Sequence, residues 1–187
     1  MLEFLHNESE LLLHVCCAPC SSAIVEKLMN TGIRPTLFFY NPNIFPREEY
    51  EKRKNECIRH AESVEVDFVD ADYEHDKWLE WINGLENEPE RGKRCLKCFK
   101  IRLLAAAKYA SENSFKTFAT TLSTSRWKNL DQINEAGALA VSRFPELTFM
   151  AENWRKGGLS ERRSELIRQY GFYNQTYCGC EFSMRER

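Results

Sequence analysis

The feature that most narrows the folds open to this chain is a regular alternation of short apolar runs with longer helical ones. LLLHVC (11–16), RPTLFFYN (34–41), VEVDFVDA (64–71), FKTFATT (115–121) and ELTFMAE (146–152) read as five strands. Between them lie SSAIVEKLMN, PREEYEKRKNECIRHAES, HDKWLEWING, CLKCFKIRLLAAAKYASEN and NLDQINEAGALAVSRF, with LSERRSELIRQYG after the last strand, and these read as helices. Pro19 suits the first turn of the first helix, Gly32 its stop, and Pro46 the start of the second. NPNIFP and LENEPERGK read as loops. The alternation predicts a doubly wound α/β fold, a parallel sheet covered by helices on both faces, with a small helical insertion. A chain of 187 residues with 43% apolar content fits one globular domain, 1–187, with a core of its own.

In such folds ligands bind beyond the carboxyl ends of the strands. The unusual residues sort onto that edge: CCAPCSS follows the first strand, NPNIFP the second, DADY the third, TTLSTSRWKN the fourth and ENWRKGG the fifth. Seven of the eight cysteines fall in three clusters: Cys16, Cys17 and Cys20; Cys95 and Cys98; Cys178 and Cys180. Cys57, alone in a charged helix, reads as a packing residue. CCAPCSS runs into a helix N-terminus, where backbone N–H groups favour thiolate over thiol. Cys95 and Cys98 are three apart and share a helical face. Gly179 lets the backbone turn so that Cys178 and Cys180 both face one site. The first cluster lies on the rim of the sheet; the inserted helix and the returning tail must bring the other two to it.

Clustered thiols bind metal or do redox chemistry. Cys17 and Cys20 alone could form a thioredoxin-like pair. Four thiolates make a closed zinc site, which seven exceed. A four-thiolate iron–sulfur cluster with a second, smaller metal site uses them better. His14 precedes Cys16 by two and points to the same face of its strand. It is a candidate ligand, proton donor or hydrogen-bond partner of a sulfur, and equally a satisfied buried histidine. Asp70 and Asp72 follow the third strand on the rim, as oxygen ligands, proton donors or solvated side chains.

The net charge of −2 exerts no global pull on nucleic acid, so RNA contact must use local patches. No apolar run approaches the ~20 residues that cross a bilayer. MLEFLHNESELLL lacks a basic n-region and a small-residue cleavage site, so no signal peptide is expected. Both points predict a cytoplasmic protein without membrane partners, in a compartment where cysteine clusters more often hold metals than disulfides.

The motifs HVCCAPCS, NPNI followed by EEYEKRKNE, GLENEPERGKRCLKCFKIRL, TTLSTSRWKNLDQINEAG and YCGCEFS together resemble the epoxyqueuosine reductase QueH family, in the same order over nearly the whole chain. The resemblance implies a cobalamin-independent metalloenzyme that reduces epoxyqueuosine to queuosine at the tRNA wobble base, the final step of queuosine biosynthesis. It implies a Rossmann-like fold related to the adenine nucleotide α-hydrolases (HUP-like), a [4Fe–4S] cluster and an additional mononuclear iron. Carried over by motif, Cys17, Cys95, Cys98 and one tail cysteine are candidates for the cluster. Cys16, Cys20 or the remaining tail cysteine, with Asp72 or Asp70, are candidates for the single iron, and the partition stays open. His14 or a rim aspartate such as Asp72 would protonate the leaving oxygen, and an external electron donor is required. The loop after the first strand lacks the SGGxDS signature of ATP-using relatives, so ATP is not expected.

For the tRNA, Arg126, Trp127, Lys128 and Asn129 are best placed, just after the fourth strand. Lys93, Arg94, Lys97, Lys100, Arg102, Arg155, Lys156, Arg162 and Arg163 are weaker candidates for phosphates, and Trp154 joins Trp127 as a base-stacking candidate. Three other readings compete: a zinc module that binds RNA without chemistry, a thiol–disulfide oxidoreductase, and a tRNA-thiolating enzyme.

Overall fold

A computed structural model describes residues 11–184. Residues 1–10, which carry most of the reading against a signal peptide, and residues 185–187 of the tail lie outside the described residues. The strands are β1 (Leu11–His14), β2 (Thr36–Phe39), β3 (Phe68–Asp70), β4 (Thr117–Thr120) and β5 (Thr148–Phe149). The helices are α1 (Ala18–Asn30), α2 (Arg47–Ser63), α3 (His75–Ile82), α4 (Lys93–Glu112), α5 (Leu130–Arg143) and α6 (Leu159–Tyr170). All four strand pairings are parallel, in the order β3-β2-β1-β4-β5. This is the α/β, Rossmann-like arrangement expected from the alternation.

β1 is central and buried along its whole length, which explains a continuous apolar run rather than an alternating one. Leu11 and Leu13 pack with Ile24, Leu28, Tyr50 and Leu166 beneath α1, α2 and α6. Leu12 packs on the opposite face with Phe38, Phe118, Leu103 and Ile133 beneath α4 and α5. The strands are shorter than the apolar runs that announce them. The flanking residues stay buried after the ladder ends, because Val15, Tyr40 and Thr121 enter loops that remain covered. Cys57 sits in the apolar layer with no exposure.

The crossover from β3 to β4 carries two helices instead of one, the short α3 and the longer α4 that bears Cys95 and Cys98. Trp78 and Ile82 bury its apolar side, packing with Cys98 of α4. At the far edge α5 rides directly on β5. Gly137 permits this, since a Cβ there would lie 2.2 Å from the Phe149 ring.

The chain leaves β1 for β2 on one side and returns to β4 on the other. The crevice beyond the carboxyl ends of β1 and β4 is therefore the topological switch point. CCAPC leaves β1 there and TTLSTS leaves β4 there. Among the described residues no helix is long and apolar enough to cross a membrane.

Gly137→Ala should push α5 off β5 and lower stability by about 1–3 kcal/mol, read from the urea midpoint. An unchanged midpoint would show that the helix has room to move away from Phe149.

Candidate metal centre

The first three thiols are held by the β1–α1 junction. Cys17 is the N-cap of α1, Cys16 precedes it, and Cys20 lies in the first turn. Their sulfurs all lie within 4.8 Å of one another. The 3₁₀ turn Thr121–Thr124 after β4 closes one side. Thr121 Oγ1 accepts from the Cys16 N–H at 3.3 Å and donates to Cys16 Sγ at 3.6 Å. Thr124 Oγ1 donates to the Cys20 carbonyl at 3.3 Å.

Cys178 and Cys180 reach Cys98 by a different route. Cys95 and Cys98 project from the first turns of α4, and the Arg91 N–H donates to Cys95 Sγ at 3.2 Å. The tail returns along α2 and the loop after β2. Arg53, buried on α2, donates to the carbonyls of Cys178 at 3.1 Å and Tyr177 at 3.3 Å, while Glu49 balances its charge at 2.6 Å. The Phe45 N–H donates to the Gly179 carbonyl at 2.8 Å. Gly179 has φ 110°, and a Cβ would stand 2.8 Å from Ile44 Cγ1. Glycine is thus required twice, by conformation and by close approach. Cys178 and Cys180 then pack with Cys98, Trp78, Ile82 and Phe182.

Protein donors converge on these sulfurs. Gln175 Nε2 donates to Cys17 Sγ at 2.8 Å and to Cys20 Sγ at 3.7 Å. The Cys180 N–H donates to Cys178 Sγ at 3.4 Å. Donors aimed at sulfur favour thiolate, the metal-binding form. Each group carries one thiol held well below its usual range. Cys16 is lowered by hydrogen bonds from Cys17 and Cys20, and Cys178 by its hydrogen bond with Cys180. The rest are raised. Burial raises Cys17 and Cys98, and pushes Cys95 up to about 11. Cys20 is pushed up to about 11 chiefly by its hydrogen bond to Cys16. The hydrogen bond with Cys178 raises Cys180.

The two groups share an electrostatic environment. Lys128 acts on Cys16, Cys20 and Cys178. Arg102 acts on Cys16 and Cys98. A positive field over closely placed sulfurs suits an anionic metal–thiolate centre, and the Cys16, Cys17 and Cys20 cluster alone offers three soft ligands to one ion.

His14 has no exposure. The Thr120 hydroxyl accepts from the Leu122 N–H at 3.2 Å, which leaves its own proton for His14 Nδ1 at 2.8 Å. His14 Nε2–H then donates to the Tyr40 carbonyl at 3.2 Å. Burial lowers its pKa to about 3, so at neutral pH the ring is uncharged with both nitrogens engaged. Asp70 ends β3, paired with Lys54 at 3.1 Å. Asp72 is exposed one loop residue further on. The Tyr40 phenol is raised first by burial, then by its hydrogen bond to Glu74 and by the charges of Glu74, Asp72 and Cys98.

Of the RNA-contact candidates, Trp127 is 65% exposed, with the Arg126 guanidinium 5.0 Å from its ring. Asn129 caps α5, accepting from the Asp131 N–H at 2.9 Å. Three expectations need correction. Trp154 is buried and donates to the Thr120 carbonyl at 3.0 Å, so it offers no face for stacking. Arg94 and Arg102 are each 2% exposed and out of reach of a phosphate. Arg94 instead ties down the loop before α4 through the carbonyls of Leu85, Glu86 and Glu88. Arg155 binds the carbonyls of Ser123, Ser125 and Lys128 and so braces the Trp127 loop. Arg162 is paired with Glu26 and Glu165, each at 2.7 Å, and Lys100 with Glu135 at 2.7 Å. Arg163 binds the Pro19 carbonyl at 2.9 Å. Lys93, Lys97 and Lys156 are exposed. Gln175, Thr121, Asn41 and Arg53 contribute to the site without a sequence signal, since each acts through a neighbour that only folding supplies.

A family model described as Epoxyqueuosine reductase QueH matches residues 11–186. The chain is 49% identical over 180 residues to the epoxyqueuosine reductase QueH of Acinetobacter baylyi, spanning 96% of this chain and 83% of that protein. It is 47% identical over 185 residues to that of Histophilus somni, spanning 99% and 76% respectively. The QueH of Thermotoga maritima is 33% identical over 179 residues, spanning 94% of this chain and 91% of that protein.

Thiols must lose their protons to bind metal. In the first group the Cys17 and Cys20 thiols are held above their usual range. Binding an ion there must displace their protons, so the affinity of the metal-free protein for Co²⁺ should rise with pH through neutrality, about tenfold or more per pH unit. Cobalt–thiolate absorption across a pH series measures this. A flat response would show that the sulfurs are already deprotonated or are not the ligands.

Proposed function

The chain belongs to the epoxyqueuosine reductase QueH family, and from that premise we propose that it converts epoxyqueuosine to queuosine in tRNA. The observation that supports the reading is the buried group of Cys16, Cys17 and Cys20 at the switch-point crevice of the sheet, together with the packing of Cys98 against Cys178 and Cys180. The reaction is a two-electron deoxygenation: an epoxide, two electrons and two protons become an alkene and water. The residues present suit the redox centre this requires. Four of Cys16, Cys17, Cys20, Cys95, Cys98, Cys178 and Cys180 would hold a [4Fe–4S] cluster. The remaining thiols would hold a single iron, with Asp72 preferred over Asp70 because Lys54 already occupies the latter. When bound, such a centre supplies electrons singly and a Lewis-acidic iron. An external donor supplies the electrons.

The protein's own part is to bind, orient and protonate. Neutral His14, locked between Thr120 and Tyr40, holds the end of β1 that presents Cys16. The proton for the leaving oxygen falls to the exposed rim, where Asp72 and water are available. A wobble base must leave its stack to reach the thiols. Two exposed aromatics, Phe45 after β2 and Trp127 after β4, offer faces for the bases around it. Phe45 lies beside a cleft of about 490 Å³ with Arg47, Tyr73 and His75. Arg126 adds a cation next to Trp127, and the charge of Lys128 acts on Cys16, Cys20 and Cys178. The chain would act as one iron–sulfur domain, in the cytoplasm, where thiols stay reduced.

Anaerobically loaded protein should be brown, carry more than four irons per chain and convert epoxyqueuosine in an anticodon stem-loop. Full turnover by iron-free, zinc-loaded protein would overturn the reading, and four irons or fewer would remove the second site. Trp127→Ala should raise the KM for the stem-loop about tenfold, the stacking of roughly one base, with little change in kcat. An unchanged KM would take Trp127 out of the binding surface.

A further inference from the structure

Arg102 is a cation without a counter-ion. It lies on α4 one turn beyond Cys98 and two beyond Cys95, and is 2% exposed. Among the described residues no carboxylate lies within ion-pair reach of it. Its guanidinium donates to Asn41 Oδ1, a neutral group whose Nδ2 in turn donates to the Val15 carbonyl at 2.9 Å. Its Nε has no partner. The other buried arginines are treated differently. Arg53 has Glu49 at 2.6 Å, and Arg94 has three carbonyls and the Phe182 ring at 5.3 Å. A buried guanidinium whose partners are a neutral amide and the Cys98 thiol is strongly unfavourable unless an anion stands nearby. The nearby groups able to become anions are sulfurs of both thiol groups. We propose that Arg102 is the buried counter-ion of the metal–thiolate centre and raises its reduction potential.

The proposal rests on the iron–thiolate reading above. Each electron that enters the centre makes it one charge more negative, and a fixed buried cation favours the more negative state. Arg102 also pins Asn41, and through it the chain just before Cys16, so the charge is held at a constant place. Lys128 cannot substitute, because it is partly exposed and solvent screens it.

The test uses the full chain, iron-loaded, titrated with dithionite through mediator dyes. Arg102→Met should shift the one-electron equilibrium at least tenfold toward the oxidised form, a midpoint about 59 mV lower. Arg102→Lys should stay within about threefold of the parent. A Met variant with full iron and the parent's midpoint would overturn the proposal. Thermal unfolding gives a second reading. Removing an uncompensated charge should leave metal-free Arg102→Met as stable as the parent or more so, while the iron-loaded variant becomes less stable. Equal loss in both forms would make Arg102 a packing residue and overturn it. If Met binds no iron while Lys does, the charge requirement stands; if neither binds iron, charge is not what matters and the proposal falls. A parent chain that binds no iron would overturn the iron–thiolate reading itself.

Discussion

The site depends on how the last stretch of chain is held against the first. Arg53 does this from the middle of α2, with its guanidinium on the carbonyls of Tyr177 and Cys178 and its charge on Glu49. The contact works because the arginine is buried and paired: in low dielectric, fixed charge-assisted hydrogen bonds are worth far more than on the surface. Gly179 lets the tail come close enough for that grip, and the Phe45 N–H secures it from the other side. Without this docking Cys178 and Cys180 would have no defined relation to Cys98.

Bringing buried and half-buried thiols together has consequences for charge. Each sulfur that ionises loses hydration, and each neighbour that ionises raises the cost for the next. In the metal-free arrangement Cys16 and Cys178 are held below the usual thiol range and the other clustered thiols above it. Lys128, Arg102, the Gln175 amide and several N–H groups favour further ionisation. The environment is thus prepared for more negative charge than the thiols alone carry. A metal centre bound there would resolve that mismatch.

Much of this was legible beforehand. The five strands, six helices and the parallel sheet follow from the alternation, because a buried parallel strand and an amphipathic helix leave different periods in sequence. The rim position of CCAPC follows from strand polarity alone. Trp154 and Trp127 illustrate the limit. Both sit in polar loops just past a strand and read alike, yet one is buried against the Thr120 carbonyl and the other is exposed. Arg94, Arg102 and Arg155 likewise read as phosphate contacts. Folding turns them inward, onto backbone carbonyls and toward the sulfurs.

The sequence by itself determined the ligand chemistry, the fold class and the edge of the sheet where the site lies, since these depend on residue type, period and chain direction, all local properties. Only the tertiary structure decided the packing of Cys178 and Cys180 against Cys98, the burial of Arg102 without a carboxylate, and the locked, neutral state of His14. Those depend on which groups from distant parts of the chain share one low-dielectric space, and packing alone makes that choice.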